Sequence, residues 1–112
     1  ADHAAQTAAR TLVIAMIEDA DGVSNAGAIA QTPGVDVIFV GPSDLAAALG
    51  YDAARADDAR LQVWAAAAGR PVMAIVSTAA QARKAWEQGA AMVVLNAQSA
   101  IDDCLADWAA TS

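Results

Sequence analysis

Basic residues, cysteine and large apolar side chains are all scarce in this sequence of 112 residues. Six Lys and Arg stand against thirteen Asp and Glu, giving a formal net charge of −7. A nucleic-acid partner is therefore not expected, because binding to a phosphate backbone depends on clustered basic side chains. No apolar run approaches the roughly 20 residues of a membrane-spanning helix, and no membrane partner is expected either. The single cysteine, Cys104, cannot form an internal disulfide, which predicts a cytoplasmic protein.

Alanine accounts for much of the apolar content. Hydrophobic residues make up 57% of the chain, but 33 of them are alanine and only 31 carry a larger apolar side chain. Because alanine has the highest intrinsic helix propensity, the composition favours helices with few large core residues. The length permits one domain. A domain of this size buries a limited fraction of its surface, and we expect little reserve of stability.

Short apolar runs alternate four times with longer alanine-rich stretches, a pattern typical of βα units. The predicted strands are residues 11–17, 35–40, 71–76 and 92–95, and the predicted helices are residues 25–31, 45–49, 53–68, 79–88 and 100–110. The strands are continuously apolar, which indicates a parallel sheet covered on both faces. Consecutive strands are expected to be neighbours, because crossover connections in such sheets are right-handed.

Four βα units fit either a small open sheet or half of an eight-stranded (β/α)₈ barrel. A whole barrel needs about 250 residues, so a chain of 112 residues matches half of one. An isolated half would leave two strand edges unpaired and one sheet face uncovered. We therefore expect an α/β fold that is a fragment of a barrel, or a half barrel that completes itself by association.

Polar residues follow the first two predicted strands. Glu18 ends the first run, and Gly41, Pro42, Ser43 and Asp44 close the second. Neighbouring strands lie about 4.8 Å apart, so the two carboxylates can converge on one cation. Two carboxylates without His or Cys suit Mg²⁺ or Mn²⁺, to which a 2-oxo acid can chelate. The glycine allows close backbone approach, the proline restricts the turn, and the following amides can face a substrate carboxylate.

A structural interpretation of the same residues stays open from spacing alone. Glu18 would then be a solvated loop residue, and Asp44 would be the N-cap of a helix that begins at Leu45. A third interpretation of the whole chain is a small-molecule binding module on an open four-stranded sheet.

These residues resemble a known family. The pair Ile17-Glu18, the run Val-Asp-Val-Ile-Phe-Val-Gly-Pro-Ser-Asp-Leu at residues 35–45, and the pair Leu49-Gly50 resemble the C-terminal half of the HpcH/HpaI aldolases. These are metal-dependent class II pyruvate aldolases that act on 4-hydroxy-2-oxoheptanedioate or 2-keto-3-deoxy sugar acids. The resemblance runs through nearly all of the chain. It implies a (β/α)₈ TIM barrel in which residues 1–112 supply strands five to eight.

The resemblance also implies roles for the site residues. Glu18 and Asp44 would be the two protein ligands of Mg²⁺ or Mn²⁺, and the backbone of Gly41, Pro42, Ser43 and Asp44 would hold the pyruvyl carboxylate. The family's general-base His, its partner Asp and the Arg that binds the oxo acid lie in the N-terminal half. No catalytic residue is therefore expected on this chain, and His3 matches none of them.

The implied activity is reversible aldol cleavage of a 4-hydroxy-2-oxo acid, or of a 2-keto-3-deoxy sugar acid, to pyruvate and an aldehyde. The implied partners are a small 2-oxo acid, the N-terminal half of the barrel and further subunits of a homo-oligomer, which in the family is commonly a hexamer packed through the last helix. Two alternatives are an oxaloacetate-type decarboxylase on the same fold and a non-catalytic truncated fragment that associates with another chain.

Two positions depart from the family pattern. Many members have Gln two residues before the metal-binding Glu, where this chain has Met16. The last strand is followed by Asn96-Ala97-Gln98 instead of the usual Gly-x-Asp type of ending, so the aldehyde specificity is expected to differ. Asn96 and Gln98 are candidate substrate contacts because they follow the carboxyl end of a predicted strand, as Glu18 and Asp44 do.

The remaining marked residues have structural interpretations. Trp64, Trp86 and Trp108, one in each of three predicted helices, are expected to pack their helices on the sheet or on a neighbour. Cys104 is expected to be a small core or interface residue. The pair Ser77-Thr78 is expected to cap the helix that follows it.

Overall fold

The computed structural model of the chain describes residues 3–111, in two compact units that meet in sequence between Pro71 and Val72. The elements of the first unit are α1 (His3–Ala8), β1 (Ile14–Ile17), α2 (Ala20–Ser24), α3 (Ala26–Gln31), β2 (Val37–Val40), α4 (Pro42–Ala48) and α5 (Ala53–Ala66). Those of the second are β3 (Val72–Val76), α6 (Ala79–Glu87), β4 (Met92–Leu95) and α7 (Ala97–Ala110). The predicted alternation of strands and helices is confirmed.

In the first unit, β1 and β2 pair in parallel with a register that runs from Ile14 opposite Val37 to Ile17 opposite Val40. The ladder continues past both strands, because the N–H of Gly41 donates to the carbonyl of Ile17 at 2.9 Å. The register therefore places the residue after Ile17 beside Gly41.

The start of this pairing is held by Asp36. Its Oδ2 accepts a hydrogen bond of 2.9 Å from the N–H of Val13, and its own N–H donates to the carbonyl of Val13 at 2.9 Å. This two-way contact joins the segments that lead into β1 and β2, so it sets their register before the ladder begins.

The two faces of β1 differ in burial. Ile17 is 1% exposed, whereas Ile14 and Met16 are 39% and 54% exposed. Successive side chains of a strand point to opposite faces. One face of β1 thus joins the core with Ile38, Leu45 and Val63, all fully buried, and the other face is open among the residues described.

In the second unit, β3 and β4 pair in parallel from Met73 opposite Met92 to Val76 opposite Leu95. Thr78 is the N-cap of α6 and forms a reciprocal capping box with Gln81, which confirms the predicted cap. Helix α7 has no buried residue along its length.

Three helix starts differ from the prediction. Between the first two strands the sequence predicts no helix before residue 25, but Asp19 caps α2 by accepting a 2.7 Å hydrogen bond from the N–H of Gly22. The glycine lowers the helix propensity of this segment and so hides it. Helix α4 begins at Pro42 and not at residue 45, because proline is well suited to the first helical position. Helix α7 begins at Ala97, since Asn96 caps it through the N–H of Ser99.

The tryptophans do not share one role. Trp86 and Trp108 are 57% and 73% exposed, so neither is buried against the sheet of this chain, and packing on a neighbour stays a prediction. Trp64 is half-buried, with the guanidinium of Arg60 4.8 Å from its ring centroid. Cys104 is exposed and is not a core residue here. Within residues 3–111, no helix is both long and apolar enough to cross a membrane.

Candidate functional site

Glu18 and Gly41 lie side by side at the carboxyl ends of β1 and β2. A methyl group added at Gly41 would lie 3.3 Å from Cβ of Glu18 and 3.2 Å from Sδ of Met16. The φ of Gly41 is −74°, which any residue can adopt, so the position requires a glycine for space and not for backbone conformation. The approach of the two strand ends is therefore as close as the sequence pattern predicts.

Helix α4 starts directly at this point and carries Asp44 in its first turn. Gly41 is the N-cap, Pro42 and Ser43 follow, and no side chain caps the helix. The interpretation in which Asp44 caps a helix beginning at Leu45 is therefore wrong: Leu45 is already inside α4, with its N–H donating to the carbonyl of Gly41 at 3.0 Å. Asp44 is left without a capping role.

Of four carboxylates at the ends of β1 and β2, two form hydrogen bonds with the backbone of the described residues and two do not. Asp19 caps α2 and Asp36 holds Val13. Glu18 and Asp44 are both exposed, and their side chains form no hydrogen bond or ion pair with any residue in the range 3–111. Their oxygens are thus available to a ligand.

The free pair fits a hard divalent cation that keeps several positions for water or substrate, because such an ion prefers oxygen ligands. Two carboxylates do not complete a site. Among the described residues, no group of three or more His, Cys, Asp or Glu side chains is arranged to hold a metal ion. The assignment of Glu18 and Asp44 as metal ligands stays a prediction.

The candidate contacts of the second unit have local roles. Asn96 caps α7 through the N–H of Ser99, and the side-chain amide of Gln98 donates to Oδ1 of Asp102 at 2.8 Å. Ser77 donates its N–H to Oε1 of Gln81 at 2.7 Å. Each of these polar groups contributes to a helix start or a helix face, and a substrate contact by Asn96 or Gln98 stays a prediction.

Gly22 also supports the site, although no motif or periodic pattern in the sequence marks it. A methyl group there would lie 3.0 Å from Cγ2 of Ile17 and 3.2 Å from Oδ1 of Asp19. The glycine therefore lets α2 pack against the residue that immediately precedes Glu18. A close approach of this kind leaves no periodic signal in one sequence.

We expect Gly41→Ala to weaken divalent-metal binding on the order of tenfold while the midpoint of thermal unfolding changes little. The added methyl group displaces Glu18 and Met16 by a few tenths of an ångström, but the backbone angle suits alanine. Titration with Mn²⁺, followed by the electron paramagnetic resonance of the free ion, measures the affinity.

The matched control is Gly27→Ala, whose methyl group meets only the carbonyl oxygen of Ala66 at 3.6 Å. Both variants are made in the full gene product, meaning the protein of whatever length the gene encodes that contains residues 1–112. Equal Mn²⁺ affinity in the two variants would contradict the placement of the site.

Comparison with known proteins gives a consistent result. The family model described as HpcH/HpaI aldolase/citrate lyase matches residues 2–103. A 5-keto-4-deoxy-D-glucarate aldolase from Shigella boydii is 43% identical over 101 residues, which cover 85% of this chain and 39% of the relative. A protein of the same name from Escherichia coli O6:H1 is 41% identical over 107 residues, covering 90% and 42%. The chain thus spans about two-fifths of the length of the curated relatives it matches.

Among solved structures, the crystal structure of an HpcH/HpaI aldolase/citrate lyase family protein from Burkholderia cenocepacia is similar, with a TM-score of 0.80 and 34% identity. The match covers 92% of this chain and 43% of that one. This likeness confirms the predicted fold class, four βα units of a (β/α)₈ TIM barrel.

Proposed function

Because the chain belongs to the HpcH/HpaI aldolase/citrate lyase family, we propose that it forms the C-terminal half of a divalent-metal-dependent carbon–carbon lyase. The reaction is reversible aldol cleavage of a 2-keto-3-deoxy sugar acid, or of a related 4-hydroxy-2-oxo acid, to pyruvate and an aldehyde. The observation that carries the proposal is a pair of unengaged carboxylates: Glu18 follows β1 and lies beside Gly41, and Asp44 lies in the first turn of the helix that Gly41 caps.

The sugar acid is the preferred substrate class because the relatives at 41–43% identity are named for 5-keto-4-deoxy-D-glucarate. Their match spans only part of each relative, and groups on the rest of a barrel also shape its substrate pocket. The aldehyde half of the substrate is therefore assigned by class.

Glu18 and Asp44 would hold Mg²⁺ or Mn²⁺. When bound, such an ion acts as a Lewis acid toward the keto oxygen of the substrate, where negative charge develops as the C3–C4 bond breaks. Glu18 would reach the ion from the end of β1, and Asp44 would reach it from the first turn of α4. Both side chains are exposed, so occupation of the site needs no rearrangement of the core.

The backbone from Gly41 to Asp44 would bind the substrate carboxylate. The N–H groups of Ser43 and Asp44 lie in the first turn of α4, where an α-helix provides no carbonyl partner for them. Pro42 has no N–H and holds φ near the helical value. The turn thus presents its free donors in one direction.

The general base that removes the proton from the C4 hydroxyl, and the Arg that binds the oxo acid, belong to a part of the barrel outside residues 1–112. The open face of β1, with Ile14 and Met16 exposed, supports this division of the site. The exposed Ile101, Leu105 and Trp108 on α7 support packing of that helix on the rest of the barrel or on another subunit of a homo-oligomer.

The cytoplasm is the proposed compartment. Cys104 is exposed and free, a state that a reducing compartment maintains.

The function is tested by chelation. In the full gene product we expect EDTA to abolish exchange of the C3 protons of pyruvate with deuterium, since the ion supplies several kcal/mol of charge stabilisation. Adding Mg²⁺ or Mn²⁺ back should restore exchange, measured by proton magnetic resonance. Cleavage of 5-keto-4-deoxy-D-glucarate, followed by pyruvate release, tests the substrate class.

Two results would change the assignment. Exchange that survives EDTA would argue against a metal-dependent lyase. Release of CO₂ from oxaloacetate at a much higher rate than pyruvate from any 4-hydroxy-2-oxo acid would favour the decarboxylase.

A further inference from the structure

Met16 lies against the candidate site and has no role in the function proposed above. It precedes Glu18 by two residues on β1, so the two side chains emerge on the same face of the strand. Its Sδ and Cγ lie 3.2 and 3.4 Å from the place that a methyl group on Gly41 would occupy. The thioether therefore rests over the backbone of Gly41, beside Glu18.

Within the first unit, Met16 is not a core position. Met16 is 54% exposed, although the next residue, Ile17, is 1% exposed. A ligand bound between Glu18 and the turn at Gly41 would cover the thioether. Methionine has no N–H or O–H donor and its sulfur is a weak acceptor, so this side of the site offers a ligand an apolar, polarisable surface.

We propose that Met16 is a specificity-determining residue that selects a 2-oxo acid whose C3 is an unsubstituted methyl group over one that carries a hydroxyl there. The inference rests on the proposed function and deepens it by assigning the choice between two donors to one residue. A hydroxyl group placed against the thioether leaves water without gaining an equivalent hydrogen bond, whereas a methyl group is buried at no such cost.

The test compares pyruvate with 3-hydroxypyruvate in the Mn²⁺-loaded full gene product and in its Met16→Gln and Met16→Leu variants. The wild type is expected to exchange the C3 protons of pyruvate with the higher kcat/KM. Met16→Gln supplies an amide that can pair with the hydroxyl, and it should shift the ratio toward 3-hydroxypyruvate by about tenfold or more. Met16→Leu keeps an apolar side chain of similar volume and should preserve the ratio.

A readout without turnover accompanies the rates. Isothermal titration of the two acids gives the ratio of their dissociation constants, which should move in the same direction in Met16→Gln and stay constant in Met16→Leu. Gln and Leu are close to Met in volume, so both variants are expected to fold, and circular dichroism checks this.

The possible failures are distinct. If the wild type exchanges pyruvate protons in a metal-dependent way but Met16→Gln leaves both ratios unchanged, the role of Met16 is overturned and the proposed function stands. If the wild type binds neither acid and catalyses no metal-dependent exchange, the proposed function is overturned, and the selection by Met16 with it.

Discussion

Replacing Glu18 by Gln in the full gene product is expected to reduce metal-dependent exchange of the pyruvate C3 protons by at least about a hundredfold. The amide has nearly the shape of the carboxylate but carries no charge, so it is a much weaker ligand for Mg²⁺ or Mn²⁺. Glu18 is exposed and engages no other described side chain, and the free energy of unfolding should change by less than about 0.5 kcal/mol.

Asp44→Asn should give a loss of similar size, because the two carboxylates are proposed to hold the same ion. Mn²⁺ titration should show a matching fall in affinity for each variant. The matched controls are Glu87→Gln at the end of α6 and Asp58→Asn on α5, which remove one exposed carboxylate each and leave the strand ends untouched.

The result that contradicts the assignment is specific. Full exchange activity in Glu18→Gln, with unchanged Mn²⁺ affinity, would show that Glu18 is a solvated loop residue and not a metal ligand. If Glu18→Gln and its control Glu87→Gln lose activity to the same extent, the loss is a general effect of net charge, since each substitution removes one negative charge.

The position of the site could be predicted from the sequence because parallel strands bring their carboxyl ends to one edge. The apolar runs predict the last residue of each strand correctly, Ile17 for β1 and Val40 for β2. The strand starts were predicted two to three residues too early in the first unit. The apolar residues Leu12, Val13 and Val35 extend the runs toward the N-terminus, but the paired strands begin just after the contact between Asp36 and Val13, at Ile14 and Val37.

The sequence does not show which carboxylates cap helices and which have side chains that are free to bind a ligand. Asp19 and Glu18 are adjacent and similar in chemistry, yet Asp19 caps α2 and Glu18 caps nothing. The cap depends on α2, whose glycine conceals it in a propensity-based prediction. Likewise, whether Asp44 caps a helix depends on where α4 starts, and a shift of three residues converts a cap into a first-turn residue with a free side chain.

The limited space beside Gly41 could not be predicted from the sequence either. The motif indicates a turn, and the fold prediction indicates that Glu18 is a neighbour. The distance of 3.3 Å between a methyl group added at Gly41 and Cβ of Glu18 follows from the register of β1 and β2. The apolar pattern of a strand shows which side chains share a face, but it does not fix this distance. For the same reason the contact of Met16 with this glycine was not foreseen.

The open face of β1 leads to the second large effect, on stability. Ile38 is completely buried and Ile14 is 39% exposed in the same pair of strands. Ile38→Ala should lower the free energy of unfolding by about 2–5 kcal/mol, the usual cost of deleting a buried isoleucine side chain. In an alanine-rich unit with few large core residues, this is a large part of the total stability.

Ile14→Ala distinguishes a covered barrel interior from an exposed sheet face, because the chemical change is the same as in Ile38→Ala. If further chain closes the barrel over β1, Ile14 is buried in the full gene product, and its loss should cost at least about 2 kcal/mol. Denaturation by urea, followed by circular dichroism at equal protein concentration, measures both variants against the wild type.

A cost below about 1 kcal/mol for Ile14→Ala, beside a cost of about 2–5 kcal/mol for Ile38→Ala, would show that nothing covers this face. The general base and the Arg would then have no barrel half to carry them, and the lyase assignment would fail together with the half-barrel proposal.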